Sequence, residues 1–165
     1  MEGPNGAKNG ACNVKTDYLN AIRLIERLHR QFLEVVKAEI DRIGVRDINN
    51  VQALILYNIG EDEMTVGELT HRGYYLGSNV SYNVRKMVEN GYLIQERSPH
   101  DRRSIRVRLS DKGLDVWRAM DKVFDTQAAL LVDTGIQTTQ LEDTATVLRR
   151  LERFLLQHYG YGPAR

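Results

Sequence analysis

The chain has 165 residues, 42% of them hydrophobic and 27% charged, with a formal net charge of +1. This fits one globular domain, or one with a helical extension, and excludes wholesale disorder. No apolar run approaches the roughly 18 residues of a membrane-spanning helix, and the single cysteine, Cys12, excludes an internal disulfide framework and fits a reducing, cytoplasmic setting.

Residues 1–13 are polar and rich in Gly and Asn. They read as a disordered arm without the apolar stretch of a secretory signal. From Tyr18 the pattern is helical. Tyr18, Ile22, Ile25, His29, Phe32, Val36, Ile40 and Ile43 recur every three or four positions, and Leu19, Leu24, Leu28, Leu33 and Val35 add a second stripe. A helix apolar on two sides is expected to be buried on two sides, and Gly44 is its stop. A second helix is predicted over about Ile48–Ile59, with Val51, Leu54, Ile55 and Ile59 inward, before the polar break Gly60-Glu61-Asp62-Glu63. Thr65 and Glu68 form a capping box for a short third helix that ends near Gly73.

The fourth helix, about Ser78–Asn90, has an apolar stripe of Val80, Val84, Met87 and Val88. Ser78, Asn79, Ser81, Tyr82, Arg85 and Lys86 make its polar face, and Gly91 is its stop. The period then changes to two. Tyr92–Arg97 and Ser104–Leu109 read as strands joined by the polar turn Ser98-Pro99-His100-Asp101-Arg102-Arg103. Ser110 caps a long helix to about Asp133, with Leu114, Trp117, Met120, Phe124, Ala128 and Leu131 on one stripe. Gly135 ends it, and Thr139 with Glu142 offers a capping box for a last helix carrying Leu141, Leu148, Leu151, Leu155 and Tyr159.

This order predicts a mainly α fold with a small β-hairpin wing. A winged helix-turn-helix spans 46–109, and helical regions at 14–45 and 110–160 flank it. Charge is gathered in the same place. Ser78 to Gly113 holds eight basic residues (Arg85, Lys86, Arg97, Arg102, Arg103, Arg106, Arg108, Lys112) and four acids (Glu89, Glu96, Asp101, Asp111), a net +4, which leaves −3 for the rest. Such asymmetry suits a polyanion partner, or else marks a solvated face. In a helix-turn-helix the fourth helix lies in the major groove of DNA. Ser78, Asn79, Ser81 and Tyr82 would meet phosphates or base edges there, and Arg85 could pair with a guanine edge. Ser78 and Asn79 could instead simply cap the helix. Arg106 and Arg108 share one strand face, where they either contact phosphates or solvate the surface. The terminal helices carry more apolar surface than a small winged domain needs, which implies either a partner or an intramolecular bundle.

Catalytic signatures are missing. The sequence has no Gly-x-Ser-x-Gly, no His-Glu-x-x-His and no phosphate-binding glycine loop. His29, His71, His100 and His158 are scattered, and one cysteine cannot build a zinc site. Neither enzyme activity, nor a metal, nor a cofactor is expected.

The residues Asn90-Gly91-Tyr92-Leu93-Ile94, Glu96-Arg97, Asp101-Arg102-Arg103 and Leu109-Ser110-Asp111-Lys112-Gly113 follow one another in a specific order. They give a helix-ending Gly, a strand, a Glu-Arg pair, an Asp-Arg-Arg tip and a Leu-Ser-x-x-Gly helix start. In this, Thr65–Gly113 resembles the MarR family of winged helix-turn-helix transcription regulators, and with the flanking helices the resemblance covers roughly 15–160. The chain departs from the family at Gly73-Tyr74, where a Leu-Gly turn is usual. The resemblance implies a sequence-specific regulator of double-stranded DNA that is a homodimer built from the first and last two helices. Two half-sites of a pseudo-palindromic operator would lie about 34 Å apart. It implies further that Arg102 or Arg103 enters the minor groove with Asp101 orienting it. A repressor relieved by a small aromatic or anionic effector is expected. Candidate pocket residues are Arg23, His29, Tyr57, Arg72, Tyr74 and Trp117, although His29 on an apolar stripe also reads as a core histidine. Two other readings are redox sensing through Cys12, which has little beyond Lys15 to lower its pKa, and non-specific architectural DNA binding. The non-uniform polar face of the fourth helix favours sequence reading.

Overall fold

The architecture is that of a computed structural model, which describes residues 6–73, 77–97 and 104–159, without the side chains of 6–12, 72–73 and 77–78. The elements run α1 (Gly6–Arg42), α2 (Asn50–Ile59), β1 (Met64–Thr65), α3 (Val66–Gly73), α4 (Gly77–Glu89), β2 (Leu93–Arg97), β3 (Ile105–Leu109), α5 (Asp111–Asp133) and α6 (Thr138–Tyr159). The chain divides into two compact units, 1–121 and 122–165. No described helix is long and apolar enough to cross a membrane.

The first unit holds the core. Val36 and Ile40 of α1 are buried with Ala53, Ile55, Leu56 and Ile59 of α2, Leu69 of α3 and Val80, Val84 and Met87 of α4. Tyr92, Leu93, Val107 and Leu109 of the sheet region and Val116 and Met120 of α5 are buried too. Helix α2 is buried on a wider arc than its predicted face, since Ala53 and Leu56 are fully covered while Val51 and Leu54 are only half-buried. Asn49 caps it in a reciprocal box with Gln52: the Asn49 side chain accepts from the Gln52 amide at 2.9 Å, and the Gln52 side chain accepts from the Asn49 amide at 3.0 Å. The Thr65–Glu68 box forms as expected, with Glu68 N–H donating to Thr65 Oγ1 at 3.1 Å and Thr65 N–H donating to Glu68 Oε2 at 2.6 Å.

Some sequence expectations are corrected. The stretch read as an arm over 1–13 is helical from Gly6, so Cys12 lies within α1 rather than ahead of it. Once an amphipathic segment has nucleated a helix, each added residue gains a hydrogen bond at little further cost, and the pattern need not continue. The sheet is more than a hairpin. Among the described residues its order is β1-β3-β2, with Met64 opposite Val107 and Thr65 opposite Arg106. A strand of two residues carries no readable period. The apolar stripes of α1 are not covered on two sides within the chain: Leu28 is 62% exposed, and Leu19, Leu24, Ile25, Phe32 and Val35 are exposed as well. His29 is likewise exposed and is not a core histidine of this chain.

In the second unit, α6 begins two residues earlier than the Thr139–Glu142 box predicts. Gln137 N–H donates to the Gln140 side chain at 2.9 Å, which satisfies a free amide ahead of the helix and places Thr139 inside its first turn. No residue of α6 is buried. Leu141, Val147, Leu148, Phe154, Leu156 and Tyr159 are exposed along it.

Candidate nucleic-acid interface

Helix α4 is set by its apolar side. Val80, Val84 and Met87, spaced four and three apart, are buried in the first unit. This turns Asn79, Ser81, Tyr82 and Arg85 outward, all of them exposed. The guanidinium carbon of Arg85 lies 5.9 Å from the centroid of the Tyr82 ring, within cation–π range. Ser81 and Arg85 also line a groove of about 560 Å³ whose other walls are Thr65 and Val66 at the start of α3 and Gln95 and Ile105 of the sheet. The exposed face of α4 thus presents a hydroxyl, an amide, a phenol and a guanidinium beside a concavity.

The basic residues of this face differ in how committed they are. Lys86 is paired with Glu89 at 2.8 Å, and that bond raises its pKa. Arg106 pairs with Glu63 at 3.3 Å and Arg108 with Glu96 at 3.6 Å. Arg85 makes no ion pair among the described residues, so its charge is the most available on α4. Of the other residues singled out from the sequence, Asp101, Arg102 and Arg103 lie outside the described residues, as does the side chain of Ser78.

The wing is anchored at its base by a cluster that the pattern reading missed. Asp47, between α1 and α2, accepts from the Tyr92 hydroxyl and from Lys112 Nζ at 2.8 Å. Lys112 also donates to the Asn90 carbonyl at 3.0 Å and sits 3.9 Å from the Tyr92 ring centroid. Asn90 Nδ2 donates to the Asp47 carbonyl at 2.6 Å. Burial alone would raise the Asp47 carboxyl, but the bonds from Lys112 and Tyr92 outweigh it and hold the group below the usual carboxylate range. Helix α4 ends in a Schellman turn: Gly91, at φ +78°, donates to Val88 O at 3.0 Å, and Tyr92 donates to Met87 O at 2.8 Å. Ser110 then links wing to helix, its Oγ donating to Gly91 O at 2.6 Å and accepting from Gly113 N–H at 3.1 Å as the cap of α5.

The candidate effector residues are only partly gathered. Tyr57 and Trp117 stack, with centroids 6.2 Å apart and planes 16° from parallel, and Tyr57 donates to Asp121 Oδ1 at 3.1 Å. Arg23 and His29 are exposed on α1. Tyr74 lies outside the described residues, and so does the side chain of Arg72. Two further residues missed in the sequence, Gln52 and Asn83, join α2 to α4: Gln52 Nε2 donates to Asn83 Oδ1 at 3.1 Å. The Asn49-x-x-Gln52 spacing was the available signal for the first of them.

Comparison with known proteins bears on this site. A family described as a winged helix DNA-binding domain matches residues 48–113. The exopolysaccharide II synthesis transcriptional activator ExpG of Rhizobium meliloti is 36% identical over 152 residues, which cover 92% of this chain and 78% of that protein. The fold is also similar to that of Staphylococcus aureus MarR in complex with salicylate and kanamycin, with a TM-score of 0.65 at 22% identity, covering 88% of this chain and 94% of that one. This chain belongs to the MarR family of winged-helix transcription regulators. Streptococcus pneumoniae FabT in complex with DNA is similar in fold as well, with a TM-score of 0.67 at 18% identity over 85% of this chain and 98% of that one. As a MarR-family protein the chain is a DNA-binding transcription regulator and not an enzyme.

Proposed function

We propose that this MarR-family chain acts in the cytoplasm as a homodimer that reads a pseudo-palindromic operator. Helix α4 would lie in the major groove, and Arg102 or Arg103, oriented by Asp101, would enter the minor groove. The observation that carries this is the exposed face of α4, where Arg85, which makes no ion pair among the described residues, lies beside Tyr82 and Ser81 at the mouth of a groove. Ser78, Asn79, Lys86 and Arg106 are supporting contacts. Lys86 and Arg106 must exchange Glu89 and Glu63 for phosphate, so each gains less than a free cation would.

Two measurements test this. With the duplex that the chain selects from a random library, Arg85→Ala is expected to cost about 1–3 kcal/mol, and much less on random duplex at the same salt. Arg103→Ala should lose affinity more evenly and lower the slope of log K against log salt by about one. Equal losses for Arg85→Ala on every duplex would reduce Arg85 to a phosphate clamp. The dimer is supported by the exposed apolar residues of α1 and, separately, of α6, which water would cover only at a cost. Sedimentation should therefore give a particle of twice the 18.9 kDa chain. A stable operator-binding monomer would contradict it.

Repression relieved by a small aromatic or anionic effector is the reading that the resemblance implies. The salicylate complex of the Staphylococcus aureus protein supports the effector class, and the stacked Tyr57–Trp117 pair is the candidate contact. A second reading, activation, is favoured by the Rhizobium meliloti relative, whose name is that of an activator. In vitro transcription from a promoter carrying the selected site separates them, since a repressor lowers transcript yield and an activator raises it.

A further inference from the structure

We infer that Gln52 and Asn83 form a directed polar relay that sets the rotation of α4 about its own axis, and so act as positioning residues for DNA sequence discrimination. This rests on reading α4 as the helix that enters the major groove. Gln52 is a polar residue only 7% exposed in the middle of a hydrophobic core. A buried amide is costly unless its polar atoms are paired, and here they are. Its Oε1 is committed as acceptor, because the partner at 3.0 Å is the Asn49 backbone N–H. The other end is therefore the donating Nε2, 3.1 Å from Asn83 Oδ1. That in turn commits Asn83 Nδ2 to the Asn79 carbonyl, 2.9 Å away in the first turn of α4. Each amide fixes the orientation of the next, and a flip at either one places like groups against each other.

The packing of Val80, Val84 and Met87 decides which face of α4 is turned to the core, but apolar attraction has no direction of its own and fixes the last degrees of rotation less sharply than a bond between a set donor and acceptor. A rotation of about 20° moves a side-chain tip ~6 Å from a helix axis by about 2 Å, several times the tolerance of an N–H···O bond. Phosphate attraction would survive such a shift, whereas base-edge pairing by Ser81, Tyr82 or Arg85 would not. Gln52 itself is buried and cannot reach DNA, so any effect of changing it on discrimination must pass through α4.

The deciding variant is Gln52→Glu in the full chain. A glutamate retains the reciprocal capping box with Asn49, so a residue whose only role is to cap α2 would tolerate the change. It has no donor for Asn83, which must then turn its nitrogen toward the carboxylate and its oxygen toward the Asn79 carbonyl. The probes are the duplex selected by the wild-type chain from a random library, and random duplex. Gln52→Glu is expected to lower the affinity ratio between them about tenfold, with the salt slope and the affinity for random duplex unchanged. Asn83→Ala should do the same, and the double variant should be no worse than either single one, because both break one chain of bonds. An unchanged ratio in both single variants overturns the inference, as do losses that add in the double variant. If Gln52→Glu does not fold, Asn83→Ala with Gln52→Met decides by the same criteria. Arg85→Ala is measured alongside. Should it leave the ratio intact and Ser81→Ala and Tyr82→Ala do so as well, or should the wild-type chain select no sequence, the reading of α4 itself fails and takes the relay with it. If Arg85→Ala lowers the ratio while the relay variants do not, the relay alone is overturned.

Discussion

Replacing Gly113 with alanine is expected to cost at least ~3 kcal/mol of folding stability and to unseat the wing from α5. A Cβ at this position would lie 2.2 Å from the Tyr92 carbonyl oxygen, 3.3 Å from its carbon and 3.4 Å from Leu109 Cβ. The obstacle is backbone held from three sides. Tyr92 O accepts from Ser110 N–H at 3.0 Å, Tyr92 N–H donates to Met87 O at 2.8 Å, and the Tyr92 ring is buried. Relief would require opening the turn that ends α4 or displacing the cap of α5. Gly44→Ala is the control. It has open space around its Cβ and a φ of +77°, so it should show only the torsional penalty of about 1–2 kcal/mol. Urea unfolding compares the two, and equal losses would contradict the close approach at Gly113.

The second large effect is expected at Tyr92. Tyr92→Ala removes a fully buried ring and should cost about 3–5 kcal/mol, whereas Tyr92→Phe keeps the ring and should lose about 1 kcal/mol with the hydroxyl. The pair separates packing from the bond to Asp47, and it also carries a pH signature. The Asp47 carboxyl is held below its ordinary value of 3.8 in the folded chain. Its contribution is therefore complete above that value and lost as pH falls through the lower folded one. The Tyr92 phenol is raised above its ordinary 10.0, by burial first and then by Asp47. Its contribution is complete below about 10.0 and lost as pH rises through the higher folded value. Tyr92→Phe removes the phenol's part of the alkaline limb, leaving the part due to Lys112, whose pKa Asp47 raises, and weakens the acid one. Asp47 and Lys112 are 46% and 49% exposed, so solvent screens their pairing, and the acid limb due to them should amount to less than ~1 kcal/mol. Thermal melts of both proteins across pH check this, and identical profiles would contradict the role of the Tyr92–Asp47 bond.

Most of the element order follows from local pattern. The three- and four-residue spacing of Val80, Val84 and Met87 already turns Asn79, Ser81, Tyr82 and Arg85 to one face. The alternation of Val107 and Leu109 with Arg106 and Arg108 already makes a strand with one inward side. Gly44 and Gly91 mark helix ends because a left-handed residue is needed there, and Thr65–Glu68 marks a helix start because its side chains satisfy free amides. These are properties of residues close in sequence, with periods or spacings that can be read along the chain.

Other features depend on residues far apart in sequence, and only the tertiary structure decided them. Met64 and Thr65 become a strand because β3 offers them partners, not because two residues have a period. Gly113 reads in sequence as part of a helix start, and its close approach to Tyr92 appears only once α5 is laid against the wing. Arg106 reads in sequence as one more basic residue of this face, but Glu63, from before the first strand, pairs with it and distinguishes it from Arg85. Gln52, a polar residue in a helix read by its apolar positions, acquires its second partner from Asn83, 31 positions away. The stripes of α1 show the converse. Their apolar character is plain in the sequence, but burial is a property of what packs against a face, and within this chain Leu28 and Phe32 are left exposed.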